Sequence, residues 1–362
     1  MLRVKRGDIW EDKVNIRGTQ AAKWASVLFG LLCLLIIIVC ISSAMGPGGV
    51  KPFQVLKILL NRLPFINLEQ NWTPEEATIV LSLRIPRIFM AGLIGGALTL
   101  SGVAFQALLR NPLAEPYILG VSSGGSLGAI IAMTLGISTV MGLPTLPIFA
   151  FFGALLTMLL VYNVARIEGR APPHTLLLAG VIVNFFFSAI IMYLISIVGA
   201  EKAHSFQFWT MGDLSGLIPG GLMLVIIILI SISSIIIACY ARNFNLLILG
   251  EESAAHLGVG VERMKLIVFI LASLITGAAV SACGMIGFVG LIIPHLGRML
   301  LGADHRILIP ASSLIGASFL IFADTLARTL QAPQEIPVGV ITALCGGPFF
   351  IYLLRKQKKS FF

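Results

Sequence analysis

Charge is scarce in this sequence. Of its 362 residues only 11% are Asp, Glu, Lys or Arg, whereas a soluble domain carries about a quarter. With 57% apolar residues and a mean hydropathy of +0.99, the chain has too little polar surface to face water all round. A soluble globular protein is thereby excluded, and lipid is the expected solvent. Cysteine is sparse and unpatterned. Cys33, Cys40, Cys239, Cys283 and Cys345 lie in or beside apolar stretches, without a CxxC or a Cys/His cluster, so neither a disulfide framework nor a structural zinc site is indicated. No G-x-x-x-x-G-K-[ST] occurs; Ser122–Gly128 is Gly-rich but lacks the lysine, so the chain has no P-loop of its own. H-E-x-x-H is missing too, and His174, His204, His256, His295 and His305 show no ligand spacing. No metal site is expected, and an intramembrane enzyme has no catalytic cluster to work with. Ionisable groups deep in the apolar runs are nearly absent, although ion-coupled transporters usually keep some near the bilayer midplane. The one candidate is Asp324, four residues before Arg328. That spacing fits either a local interfacial ion pair or a functional carboxylate.

Long continuous hydrophobic runs are what the sequence does have. Crossing about 30 Å of hydrocarbon takes about 20 apolar residues per helix. The runs fall at 24–45, 88–109, 117–136, 146–166, 174–198, 218–240, 264–283, 284–301, 308–327 and 337–354. They do not alternate as barrel strands would. The expected fold class is all-α: a polytopic membrane protein with about ten transmembrane helices. A first run this long exceeds the usual h-region of a signal peptide, and is read as a retained helix. An even number of spans puts both termini on one side. Assigning that side to the cytosol places 18 of the 25 Lys and Arg inside and 7 outside, as the positive-inside bias requires. The net charge of +9 is therefore a topology signal and not a nucleic-acid footprint. The organisation expected is a basic cytosolic segment 1–23, a helical domain 24–354 and a basic cytosolic tail 355–362. A weak echo relates Ala91–Ala97 to Ala272–Ala278 at an offset of 181, as inverted repeats would. Gly92/Gly96 and Gly124/Gly128 fit small-xxx-small helix packing.

Three connecting segments carry distinctive residues. Arg110–Pro116 is a cytosolic connector whose two prolines end one helix and start the next. The cytosolic loop 241–263 contains Gly250-Glu251-Glu252-Ser253-Ala254-Ala255-His256-Leu257-Gly258, with acids at its start and a histidine and glycine at its end. Those are the charge and cap preferences of a short helix. It is too short to span, and suits either a groove on a partner protein or a bed of lipid headgroups. Outside, Phe208–Leu214 holds an aromatic pair suited to the membrane interface.

Together with Leu83-Arg84-Ile85-Pro86-Arg87 and Gly287–His295, these segments resemble the signatures of a known family: permease subunits of type II, binding-protein-dependent ABC importers for cobalamin, iron–siderophore complexes and haem. The resemblance runs from about residue 80 to 354. Asp213 stands where a serine is expected. The resemblance implies a homodimer in a prokaryotic inner (plasma) membrane, with two ATPase subunits inside that bind ATP and Mg, and a substrate-binding protein outside. No cofactor and no nucleic acid would be bound by this chain. Gly250, Glu251, Glu252, Ala255, His256, Leu257 and Gly258 would enter a cleft on the ATPase. Arg84, Arg87 and Arg328 match the outward-facing arginines that hold carboxylates of the binding protein, a task suited to a permanently ionised guanidinium. Their alternative is interfacial snorkelling. Asn184, Pro337, Thr342 and Cys345 would line the path between the fifth and tenth spans. An ion-coupled secondary transporter is the rival reading. No residue separates cobalamin from haem or a siderophore.

Overall fold

The computed structural model describes residues 6–46, 49–62, 68–137, 139–140, 143–216 and 218–358. Arg3, Lys5 and Lys359 of the basic termini fall outside these. Each of the ten anticipated apolar segments contains a helix. In chain order the helices are α1 (Arg6–Ala44), α2 (Pro52–Leu60), α3 (Pro74–Thr78), α4 (Ile85–Leu108), α5 (Val121–Leu135), α6 (Thr145–Ala165), α7 (Pro173–Ile197), α8 (Ala200–Thr210), α9 (Gly220–Cys239), α10 (Ala241–Leu247), α11 (Glu251–His256), α12 (Val261–Cys283), α13 (Val289–Leu301), α14 (His305–Thr329) and α15 (Val338–Lys358). A π-helical turn, Ile79–Arg84, joins α3 to α4. Among the described residues the strand content is a two-residue hairpin, Thr139–Val140 with Leu143–Pro144.

Among the described residues seven helices are long and apolar enough to cross a membrane, and α5, α13 and the Val338–Tyr352 part of α15 are shorter apolar helices. The third and eighth runs were expected to span at full length. In the structure α5 and α13 begin four to five residues late, because Pro112, Pro116 and the left-handed Gly120 shape the first connector, while Gly284 and Phe288, both at positive φ, shape the second. At 1.5 Å per residue each is only about 20 Å long. Irregular backbone before a half-length helix is tolerated where protein, not lipid, surrounds it.

At the centre lies α4. Of its most apolar window 78% is buried, against 6% for α1 and 22% for α7 and α9, so those three form the periphery. It packs on α14, α12 and α13. A Cβ on Gly102 would lie 2.0 Å from the Gly290 carbonyl oxygen, and one on Gly95 would lie 2.3 Å from that of Gly316, so backbone touches backbone at both crossings. Gly128 of α5 abuts the Phe149 carbonyl of α6 in the same way, and Gly124 abuts the Thr157 side chain and the Gly153 carbonyl. The pair Gly92/Gly96 is looser: Gly92 meets only the Ile321 side chain, and the tight contact falls to Gly95 between them. The two echoing segments lie on α4 and α12, which pack side by side in opposite directions, with Ser101 Oγ 2.7 Å from Thr276 Oγ1 between them. Before α4, α2 and the π-turn pack into a small separate cluster around Val50, Val55, Ile58 and Val80. That cluster was not anticipated, because its helices are too short to leave a clear period.

Candidate functional site

Two places gather the residues singled out in the sequence, and α14 joins them. At one end of α14, a cavity of about 410 Å³ is lined by Arg84, Arg87, Arg328 and Glu335, with Ser82 and Ser215 beside them. Arg84 closes the π-turn, Arg87 opens α4 and Arg328 ends α14, so antiparallel packing of α4 on α14 brings all three together. Arg87 donates through Nε to Asp324 Oδ1 at 2.9 Å and through a terminal nitrogen to Glu335 Oε2 at 2.8 Å.

Of the three arginines expected to hold carboxylates of a binding protein, two are enclosed within the protomer. Arg84 is 4% exposed and Arg328 is 3% exposed. Arg84 donates to the carbonyls of Ser43 and Gly46, each at 3.0 Å, and Arg328 donates to the Ser42 carbonyl at 2.7 Å. These are carbonyls at and just beyond the C-terminal end of α1, which have no partner within the helix. Two arginines thus fasten the end of α1 as well as lining the cavity. The anticipated Asp324–Arg328 pair exists at 3.5 Å, but Arg87 is the closer partner of Asp324. No local spacing could have shown that.

The other end of α14 meets the loop 241–263, which is largely helical. Gly250 has φ +113°, a conformation that side chains disfavour, and it turns the chain from α10 into α11. Glu251 accepts from Lys265 of α12 at 2.5 Å, and Ala254 is buried, so α11 is pinned on one side. On the other side Glu252, Ala255, His256, Leu257 and Gly258 are exposed, Leu257 by 60%. From α10, Asn245 Nδ2 donates to Asp304 Oδ1 at 2.8 Å, and the His305 N–H donates to Asn245 Oδ1 at 2.9 Å. Asp304 accepts from Arg306 and caps α14; those bonds hold its carboxyl well below the usual range.

Of the path residues, Asn184 is half-buried on α7 beside an exposed stripe of Leu178, Ile182 and Phe185. Pro337 is half-buried just before α15, and Cys345 is exposed on it. Thr342 is a correction: it is fully buried and its hydroxyl donates to the Gly339 carbonyl at 3.0 Å, so it faces the protomer interior. Asp213 accepts from the Ser215 N–H at 2.8 Å, closing a turn that serine would close more weakly.

Sequence reasoning missed the contact between the two connectors. Glu115 of the first is buried, and burial pushes its carboxyl up to about 7 although the Phe288 N–H of the second donates to it. Gln106 donates to the Gly290 carbonyl at 3.1 Å and accepts from Arg298, tying α4 to α13. A carboxylate between two prolines is the only local hint of this arrangement.

The profile of the FecCD transport family matches residues 34–356. The chain belongs to the FecCD transport family. Its FecCD relatives include the hemin transport system permease protein HmuU of Yersinia pestis, 39% identical, with 92% of this chain and 97% of that one covered. The cobalamin import system permease protein BtuC of Halobacterium salinarum is 43% identical, over 79% of this chain and 76% of its own. A solved inward-facing ABC transporter, provisionally of metal-chelate type, superposes with a TM-score of 0.76 at 33% identity, covering 92% of this chain and 99% of that one. This FecCD chain is accordingly a membrane-embedded ABC transport permease subunit and not an enzyme.

Proposed function

We propose that this permease forms the membrane pathway of an ATP-driven importer for a metal-chelate ligand, of the ferric siderophore, haem or cobalamin class, delivered by a substrate-binding protein. The carrying observation is the separation of the two clusters along α14. Arg328 and Asp304 are 24 positions apart on one helix, about 36 Å at 1.5 Å per residue, which is enough to put them on opposite faces of a bilayer. At one face three arginines line a cavity; at the other a short helix presents exposed Leu257 and His256.

In this reading the chain crosses the inner membrane of a prokaryote about ten times with both termini cytosolic, and two copies pair. Neither α7 nor α15 encloses a path within one protomer: α7 packs on α5 and α6, and α15 packs on α13 and α14. Exposed residues of both helices, with Asn184, Pro337 and Cys345 near them, would line a path between copies. Arg87, whose guanidinium is shared between Asp324 and Glu335, is the arginine best placed to accept a carboxylate from the binding protein, with Arg84 and Arg328 behind it. Gly250, Glu251, Glu252, Ala255, His256, Leu257 and Gly258 would seat in a cleft of each of two ATPases, which hold the ATP and Mg. Closure of the ATPases would then move these helices and rock the paired bundles around a central cavity. Two relatives of similar identity carry the names of different cargoes, cobalamin and hemin, which fits selection by the delivering protein.

Proteoliposomes containing the permease test this. Uptake of haemin, cyanocobalamin or ferrichrome by vesicles should require ATP, the ATPase and the binding protein together. Uptake driven by an ion gradient without the ATPase would favour the secondary-transporter alternative and end this reading.

A further inference from the structure

We propose that Asn245 is the joint through which the outer arginine cluster and the ATPase-contacting helix act on each other, with the α4–α14 pair as the lever between them; this rests on the importer reading above. Asn245 lies on α10, before the residues assigned to the ATPase. Its amide grips two consecutive residues at the start of α14: Nδ2 donates to the Asp304 carboxylate at 2.8 Å, while Oδ1 accepts from the His305 N–H at 2.9 Å and lies 2.8 Å from His305 Nδ1. Both the donor and the acceptor of one side chain are thus spent on one helix start. Buried Phe244, the preceding residue, sets its ring 5.4 Å from that of His305. A displacement of α10 therefore carries the start of α14 with it.

At its far end α14 holds Asp324 and Arg328, and α4 holds Arg87. Between the ends, Gly95 of α4 and Gly316 of α14 meet backbone to backbone, with Thr99 filling the remaining space. Such a contact has no long side chains to change rotamer, so the two helices move as one close-packed body. The other hold on α11, Glu251 with Lys265, leads into α12, which packs on α4 but contributes none of the three arginines and grips neither end of α14 by a side-chain hydrogen bond among the described residues. Asn245 is thus the polar hold of α10 on the helix that carries Asp324 and Arg328.

Linkage gives a test that needs no transported ligand, because coupling between two sites is reciprocal. In the full complex in nanodiscs, the affinity of unloaded binding protein is measured without nucleotide and with ADP and vanadate trapped after ATP hydrolysis. The wild-type ratio of the two should depart from one by about 5- to 150-fold, the usual range of allosteric coupling. Asn245→Leu should bring the ratio to within about two-fold of one, while ATPase co-purification and the nucleotide-free affinity stay as in the wild type. Asn245→Gln, which keeps the amide, should recover part of it. A leucine variant with the wild-type ratio overturns the proposal, and so does a wild-type ratio of one. Absent uptake in the proteoliposome assay is a separate failure, that of the importer reading. If the leucine variant does not assemble, spin labels at Arg242→Cys and Leu330→Cys, with the other exposed or half-buried cysteines replaced by serine, decide on the native asparagine. Their separation should stay constant between the two states. A change of more than about 5 Å, one helical turn, overturns the lever.

Discussion

Arg87 and Asp324 stand 237 residues apart in the chain and meet through two guanidinium nitrogens, at 2.9 and 2.8 Å from one carboxylate oxygen. The Asp324 side chain is 1% exposed and also faces Arg328. One buried carboxylate therefore holds two of the three arginines that line the cavity.

Removing that carboxylate takes the acid from buried Arg328 and leaves Arg87 with Glu335. Asp324→Ala should destabilise the protein by about 3–5 kcal/mol, the usual cost of breaking a buried pair from one side. Thermal unfolding in detergent would show a large fall in midpoint. The double variant Arg87→Met/Asp324→Leu should regain most of the stability but not binding-protein docking. An Asp324→Ala midpoint equal to wild type would show that the pair supports nothing.

Glu335 competes for Arg87 from a position 34% exposed. Glu335→Gln should free one edge of the guanidinium and tighten docking by about two- to five-fold, the size of a partly exposed ion pair. The gain should shrink as salt rises. Weaker docking at low salt would place the partner carboxylate somewhere else. Reversing Arg84 and Arg87 to Glu should weaken docking, and Arg84→Glu alone should also lower stability, because Arg84 holds the end of α1.

Replacing 250–258 with a Gly/Ser linker should abolish ATPase co-purification. Leu257→Glu tests the same contact with one change: it places a charge on an exposed apolar tip and should lower ATPase affinity at least about ten-fold, as loss of an interface anchor does. Retention of the ATPase by both variants would rule out this helix as the contact.

Glu115 makes stability depend on pH. Its carboxyl titrates near 7 when folded and near the ordinary 4.5 when unfolded. Between those values the unfolded chain gives up the proton first, so stability is full below about 4.5 and is lost as pH rises to about 7. The loss above pH 7 is at most about 3 kcal/mol. Glu115→Gln should flatten this interval and raise the midpoint at pH 8, with little change at pH 4.5. A wild-type-like pH profile would mean that Glu115 does not titrate there.

Much of the fold was legible because lipid imposes a simple rule. Every run long enough to cross must be helical and apolar, so the ten helical segments could be read directly. The starts of α5 and α13 could not, since Gly120, Gly284 and Phe288 take positive φ only in the company of the backbone packed against them. Arg84, Arg87 and Arg328 stood out as basic residues where such residues are rare, and they do line one cavity. The burial of Arg84, Arg328 and Thr342 was invisible, because a polar residue on an apolar helix gives no local sign of which face it takes.

By itself the sequence determined what solvent the chain lives in, where its helices run and which short loops carry unusual residues. These follow from composition and from spacing of a few residues, where neighbours in the chain are neighbours in space. Only the tertiary structure decided that Asp324 belongs to Arg87, that Arg84 and Arg328 fasten α1, that Glu115 meets α13 and that Asn245 holds the start of α14. Each of those contacts joins residues far apart in the chain, and their distances are set by how closely the glycine faces let α4, α13 and α14 approach.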